Sequence, residues 1–264
     1  MSDVRQQVLE ELTKIEKEEH VRILYACESG SRAWGFPSKD SDYDVRFIYI
    51  RPEEWYLSIF EKRDVIERPI SDILDINGWD LKKALNLFRK SNPPLLEWLQ
   101  SPIVYREDHV VTEQIRRISA VTFSPRSCIH HYLHMAKGNY REYLRGKQVK
   151  IKKYFYVLRP IFACQWIEKY NTMPPVEFDQ LVDDLVAKES ELKKVIDDLL
   201  VRKKAGDEMD YEPRIKPIND FLEAKIGYYE RTAPGMQPAD GGQDQRLDDL
   251  FRSVLKEVWK KAAE

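Results

Sequence analysis

Two short motifs follow one another early in this chain: a Gly-Ser turn just after one apolar run, and a D-x-D pair just before the next. Val21 to Cys27 suits a buried strand, Gly30 and Ser31 mark the turn that follows it, and Val45 to Ile50 reads as a second strand preceded by the turn-rich PSKDSD. Glycine lets the backbone turn tightly and approach a ligand, and Ser31 to Trp34 is expected to open a short helix whose free N–H groups face an anion. Strand side chains alternate faces, so Asp42 and Asp44 are expected to point the same way with their carboxylates close together.

Two carboxylates side by side repel unless a cation sits between them. Magnesium is the natural occupant, because it takes hard oxygen ligands and uses one or two carboxylates together with substrate phosphates. A third carboxylate from a neighbouring strand completes a two-metal site. Taken singly, a Gly-Ser turn or a D-x-D pair is commonplace; in this order and within about 20 residues they form a joint pattern. Glu28 adjoins the motif and reads equally as a support for it or as a solvated loop end.

Around these motifs the pattern predicts an α+β protein. A first helix is expected over 4–19, and two further strands over 64–68 and 72–76, separated by Pro69. From Trp79 the pattern turns helical, over 79–91, then after Pro93 and Pro94, then over 107–120. Beyond Ser124 it reads as all helix, with segments near 125–145, 150–170, 178–205, 214–231 and 244–262. Pro234, Gly235, Pro238, Gly241 and Gly242 form a flexible stretch before the last of these. The expected division is a domain over 1–122 with a small mixed sheet, followed by a helical domain over 123–264.

Composition narrows the function classes. With 42% hydrophobic and 33% charged residues, the 264-residue chain can bury a core and is neither disordered nor membrane-spanning by composition. No stretch approaches the roughly 20 apolar residues of a membrane helix, and MSDVRQQVLEEL lacks a signal-peptide core, which predicts a cytoplasmic protein. Cys27, Cys128 and Cys164 show no C-x-x-C spacing and read as reduced packing residues. A net charge of −2 carries no global nucleic-acid signature, but ten basic residues against Glu142 and Glu168 crowd the stretch from Ser124 to Tyr170. His130, His131 and His134 read as packing or hydrogen-bonding groups rather than as metal ligands, and Trp79, Trp98 and Trp166 as core.

The segments GSRAWGFPSKDSDYDVRFIY, DINGWDLKKAL and KSNPPLLEWLQSPIVY resemble the nucleotidyltransferases of the DNA polymerase β superfamily. More narrowly they resemble the RNA-repair-pathway type, which includes the YcgL-like proteins, and the likeness continues through KIKKYFYVLRPIFACQWI. The resemblance implies transfer of a nucleoside monophosphate from an NTP to an acceptor hydroxyl, with Mg²⁺ or Mn²⁺ as two ions and an RNA end as acceptor. Asp42 and Asp44 match the family's metal ligands, and Asp75 is the expected third, with Asp72 and Asp80 as competitors. Gly30, Ser31 and Arg32 are the expected nucleotide-binding residues of the turn, and Lys153, Tyr154 and Arg159 those of the helical half. Two other readings remain: nucleotidylation of a protein or small molecule, and a nucleotide-binding protein without turnover. A D-x-D glycosyltransferase would leave the Gly-Ser turn without a role.

Overall fold

The computed structural model describes residues 2–68, 73–207, 209–237 and 244–260. The chain divides into two compact units, one drawn from Met1–Ala33, Asp42–Thr122 and Asp240–Glu264, the other from Trp34–Ser41 and Phe123–Ala239. Two pieces depart from the expected single cut after residue 122: the short segment before Asp42 groups with the helical unit, and the last helix with the sheet unit.

The sheet unit opens with α1 (Ser2–Glu19), followed by β1 (Arg22–Glu28), the one-turn α2 (Gly30–Ala33) and β2 (Tyr43–Ile50). After α3 (Glu53–Tyr56) come β3 (Val65–Glu67), β4 (Leu74–Asp80), α4 (Leu81–Arg89), α5 (Pro93–Trp98), β5 (Val104–Glu107) and α6 (His109–Thr122). The five strands form one mixed sheet in the order β3-β4-β2-β1-β5, in which β2 and β4 run parallel and the other pairs antiparallel. The sheet is the expected small mixed one, with a strand more than expected. Val8, Leu12 and Ile15 of α1 share a core with Ile23, Val45, Phe47 and Tyr49. Val45, Phe47 and Tyr49 alternate with Asp44 and Arg46, so the strand that buries one face against α1 turns its acidic and basic residues to the other.

Two expectations need correction here. The Trp79–Ser91 helix begins at Leu81, because β4 runs on through Gly78 and Trp79 to Asp80. Gly78 pairs with Phe47 on one side and Ile66 on the other, and the Phe47 ring fills the place of its side chain, where a β-carbon would stand 2.2 Å from the ring. Trp79 is therefore a strand residue, its ring tilted against that of Trp98 with centroids 4.0 Å apart. Likewise Glu107 does not start a helix: it ends β5, which pairs with β1. Pro69 and Asp72 lie outside the described residues, as do Pro238, Gly241 and Gly242 of the expected flexible stretch.

The helical unit contains α7 (Pro125–Tyr143), α8 (Tyr154–Tyr170), α9 (Phe178–Leu185), α10 (Glu191–Ala205) and α11 (Lys216–Thr232). It is not purely helical. β6 (Gln148–Lys150) and β7 (Tyr211–Pro213) pair as a small antiparallel ribbon. The expected 178–205 helix is broken in two, with Ser190 capping the second piece by accepting from the Lys193 amide at 3.1 Å. Phe36, from the segment before Asp42, is buried among Phe155, Phe162 and Phe178 of this unit's core. Helix α12 (Asp244–Lys260) belongs to the sheet unit, where Arg89 meets Asp244 at 2.6 Å and the Trp259 indole donates to the Arg51 carbonyl at 3.0 Å. No helix of the described residues is long and apolar enough to cross a membrane. Cys27, Cys128 and Cys164 are buried and none is in a disulfide.

Candidate active site

The Gly-Ser turn and the D-x-D pair meet because β1 and β2 are antiparallel neighbours: Glu28 at the end of β1 stands opposite Val45 near the start of β2. The Ser29 amide donates to the Asp44 carbonyl at 2.8 Å and closes the join. Gly30 takes φ +59°, and the Asp44 carboxylate lies against it where any side chain would be. Ser31 follows in α2, which ends at Ala33.

Asp75 reaches the same place from β4. The parallel pairing of β2 and β4 sets Asp44 opposite Asp75, which puts both side chains on one face of the sheet. Asp80 stands at the far end of the same strand, opposite Tyr49. There it caps α4 by accepting from the Lys82 amide at 2.8 Å and from the Tyr56 hydroxyl at 2.7 Å. Asp42 lies just before β2 and is exposed; its carbonyl accepts from Arg32 Nε at 3.1 Å. Arg32 also lies over the Tyr43 ring at 3.6 Å, so its guanidinium is engaged with the D-x-D segment itself.

The acids are crowded. Burial pushes the Asp44 carboxyl above the usual range; Arg46 works against this, and the charges of Asp75 and Asp42 add to it. Arg46 takes up much of the negative charge: it donates to Asp44 Oδ1 at 3.1 Å and to Asp75 Oδ2 at 2.7 Å. Hard carboxylate oxygens crowded on one strand edge fit a divalent cation by their chemistry. Among the described residues, however, no three acidic, imidazole or thiol groups are gathered to hold an ion as they stand. The guanidinium of Arg46 bridges the two acids that a metal would have to share.

Glu28 is a support rather than a solvated loop end. It is 1% exposed, its Oε1 accepts from the Asp44 amide at 2.7 Å, and its Oε2 accepts from the Tyr105 hydroxyl. Its carbonyl accepts from the Ser101 hydroxyl at 2.7 Å. Arg46 was missed in the sequence although its signal was present, since a residue two places after Asp44 on a strand shares its face. Ser101 and Tyr105 had no local signal, because their role depends on β5 pairing with β1.

Lys153, Tyr154 and Arg159 belong to the helical unit. Lys153 is half-buried, with its ammonium over the Tyr143 and Tyr156 rings at 4.4 and 4.8 Å. Tyr154 is fully buried; its hydroxyl donates to Asn219 and accepts from the Ile215 amide at 2.9 Å. Arg159 is buried over the Trp34 ring at 4.7 Å and donates to the Val176 carbonyl at 3.2 Å. Tyr140 and Phe155 also pack in this unit's core, and His130 and His134 are exposed on α7.

The "Uncharacterized protein YcgL" of Bacillus subtilis (strain 168) is 52% identical over 257 residues, covering 97% of this chain and 98% of that protein. Among solved structures, a nucleotidyltransferase-like protein from Exiguobacterium sibiricum 255-15 aligns over 96% of this chain and 89% of its own, at 11% identity and a TM-score of 0.30. The model of the RNA repair pathway DNA polymerase beta family matches residues 4–253, and the chain belongs to that family.

Proposed function

We propose that this chain is a metal-dependent nucleotidyltransferase that moves a nucleoside monophosphate from an NTP to an acceptor hydroxyl, releasing pyrophosphate, with an RNA end as acceptor. The observation that carries this reading is the convergence of Asp44 and Asp75 at matched positions of two parallel strands, with Asp44 set over the α-carbon of Gly30. Asp42, Asp44 and Asp75 would hold the Mg²⁺ or Mn²⁺, which when bound supplies neutralisation of triphosphate charge and a more acidic acceptor hydroxyl.

The protein's own share is positioning. Glu28 and the Ser29 amide fix the backbone on both sides of Asp44, so its carboxylate is held before substrate arrives. Gly30 and Ser31 bring backbone and hydroxyl close enough to receive phosphate oxygens. Arg46 offsets the charge of both acids as they stand and would have to give up at least one of them to a metal ion. The RNA acceptor rests on the family to which the chain belongs.

Labelled NTP, Mg²⁺ or Mn²⁺, and a panel of RNA 3′ ends, tRNA and protein extract test the reading beside the Asp42→Asn, Asp44→Asn double variant. Label on RNA with wild type alone supports it. Label on a protein or small molecule moves the acceptor, and tight NTP binding with no release of pyrophosphate under any condition replaces it with a binding protein.

A further inference from the structure

Several lysines of the helical unit are matched to carboxylates, among them Lys137 to Glu230 at 2.6 Å, Lys169 to Asp184 at 3.0 Å, Lys193 to Asp197 at 2.7 Å and Lys204 to Asp179 at 3.2 Å. Lys203 departs from this pattern. It is only 9% exposed, and its Nζ donates to a neutral group, the Ser38 hydroxyl, at 3.0 Å. A buried ammonium is costly unless charge or hydrogen bonds compensate it, and buried lysines are as a rule paired.

Ser38 is held in place for this contact. Its amide donates to Ser41 Oγ at 2.9 Å, the two hydroxyl oxygens are 3.0 Å apart, and the Ser41 amide donates back to the Ser38 carbonyl at 3.2 Å. Two hydroxyls and an ammonium thus meet at one corner, with Phe36 anchoring the segment in the core. More positive charge lies beside it. Burial and then the charge of Lys152 hold the Lys203 ammonium below the usual lysine range, with Asp40 opposing them. Lys153 is lowered in the same way by burial, Lys150 and Lys152, with Glu142 opposing. Lys152 and Asp40 are both exposed.

We propose that Lys203 and Lys152, with the hydroxyls of Ser38 and Ser41, form a phosphoryl-binding site of the helical unit. Ammonium groups supply the charge and hydroxyls the directed donors that a phosphate oxygen needs, and phosphate is the anion whose several oxygens use both. The phosphoryl group comes from a polyphosphate, such as that of a nucleotide, or from a nucleic-acid backbone. Every residue of the site belongs to the helical unit, so binding requires neither metal nor turnover.

The full chain in EDTA, titrated calorimetrically with tripolyphosphate and separately with a short 5′-hydroxyl RNA, tests this. Wild type is compared with Lys203→Gln, Lys152→Gln and Lys216→Gln, the last removing an exposed lysine that pairs with Asp220. Both site variants are expected to weaken at least one ligand by roughly tenfold or more, as for loss of a charged hydrogen bond, with Lys216→Gln unchanged. The arm that responds identifies the source of the phosphoryl group. Should Lys203→Gln fail to fold, the exposed Lys152→Gln decides by the same comparison. Absence of binding in both arms, or affinities that Lys152→Gln and any folded Lys203→Gln leave at the wild-type value, overturns the site. Because metal is withheld, that result is separate from failure of the transferase reading.

Discussion

The Asp44 carboxylate lies directly over the α-carbon of Gly30, so that a β-carbon there would stand 2.0 Å from Oδ2. Gly30 also sits at φ +59°, where a side chain costs about 1–2 kcal/mol. Gly30→Ala is therefore expected to displace the carboxylate, and a misplacement of that size lowers transfer on the order of 100-fold. Steady-state transfer beside a urea melt checks this; wild-type turnover by a folded alanine variant would mean that Asp44 is not used as placed.

Arg46 bridges Asp44 and Asp75 with a side chain 19% exposed. Its replacement by Gln leaves two crowded carboxylates without their cation, and should destabilise the metal-free protein by roughly 1–3 kcal/mol. The same change removes the competitor for metal, so Mn²⁺ should raise the melting temperature of Arg46→Gln more than that of wild type. Thermal melts in EDTA and in Mn²⁺ read both effects. Equal metal-induced shifts would show that Arg46 does not compete for these acids.

Asp80 is 3% exposed, and burial pushes its carboxyl above the usual range, although the Tyr56 hydroxyl, the Lys82 amide and Arg51 work against this. A raised folded-state value means that its contribution to stability is complete below the ordinary aspartate value and is lost as pH rises through the folded one. Asp80→Asn keeps an acceptor for the α4 cap and removes the titration. Its stability relative to wild type should rise as pH increases from 4 to about 7. Denaturant melts across that range test it, and parallel pH profiles would count against it.

Tyr154 joins Asn219 and the Ile215 amide in the core of the helical unit. Tyr154→Phe should cost about 1–3 kcal/mol by leaving buried polar groups unsatisfied. The KM for NTP is expected to stay at the wild-type value, since a fully buried hydroxyl has no access to substrate. A raised KM without loss of stability would reverse the assignment and return Tyr154 to the nucleotide.

Local pattern was sufficient where a structure depends on neighbours in the chain. The alternation in Val45, Phe47 and Tyr49, the Gly-Ser turn and the D-x-D spacing are written within 30 residues, and β1, α2 and β2 follow from them. The end of β4 was not legible, because Gly78 has low strand preference by itself and its place in the strand depends on the Phe47 ring that occupies its open side. β5 was missed for a similar reason: four residues become a strand only when β1 offers them hydrogen bonds.

Local pattern was enough for the family's motif, the α+β character and the candidate acids Asp42, Asp44 and Asp75. Only the folded chain shows that Asp75 rather than Asp80 shares a face and register with Asp44, that Glu28, itself held by Tyr105, braces the Asp44 backbone, and that Arg46 holds both acids. Register and burial are pairings between distant segments, which local sequence does not encode. One strand carries Asp75 and Asp80 alike, and only its alignment against β2 distinguishes the acid set opposite Asp44 from a helix cap.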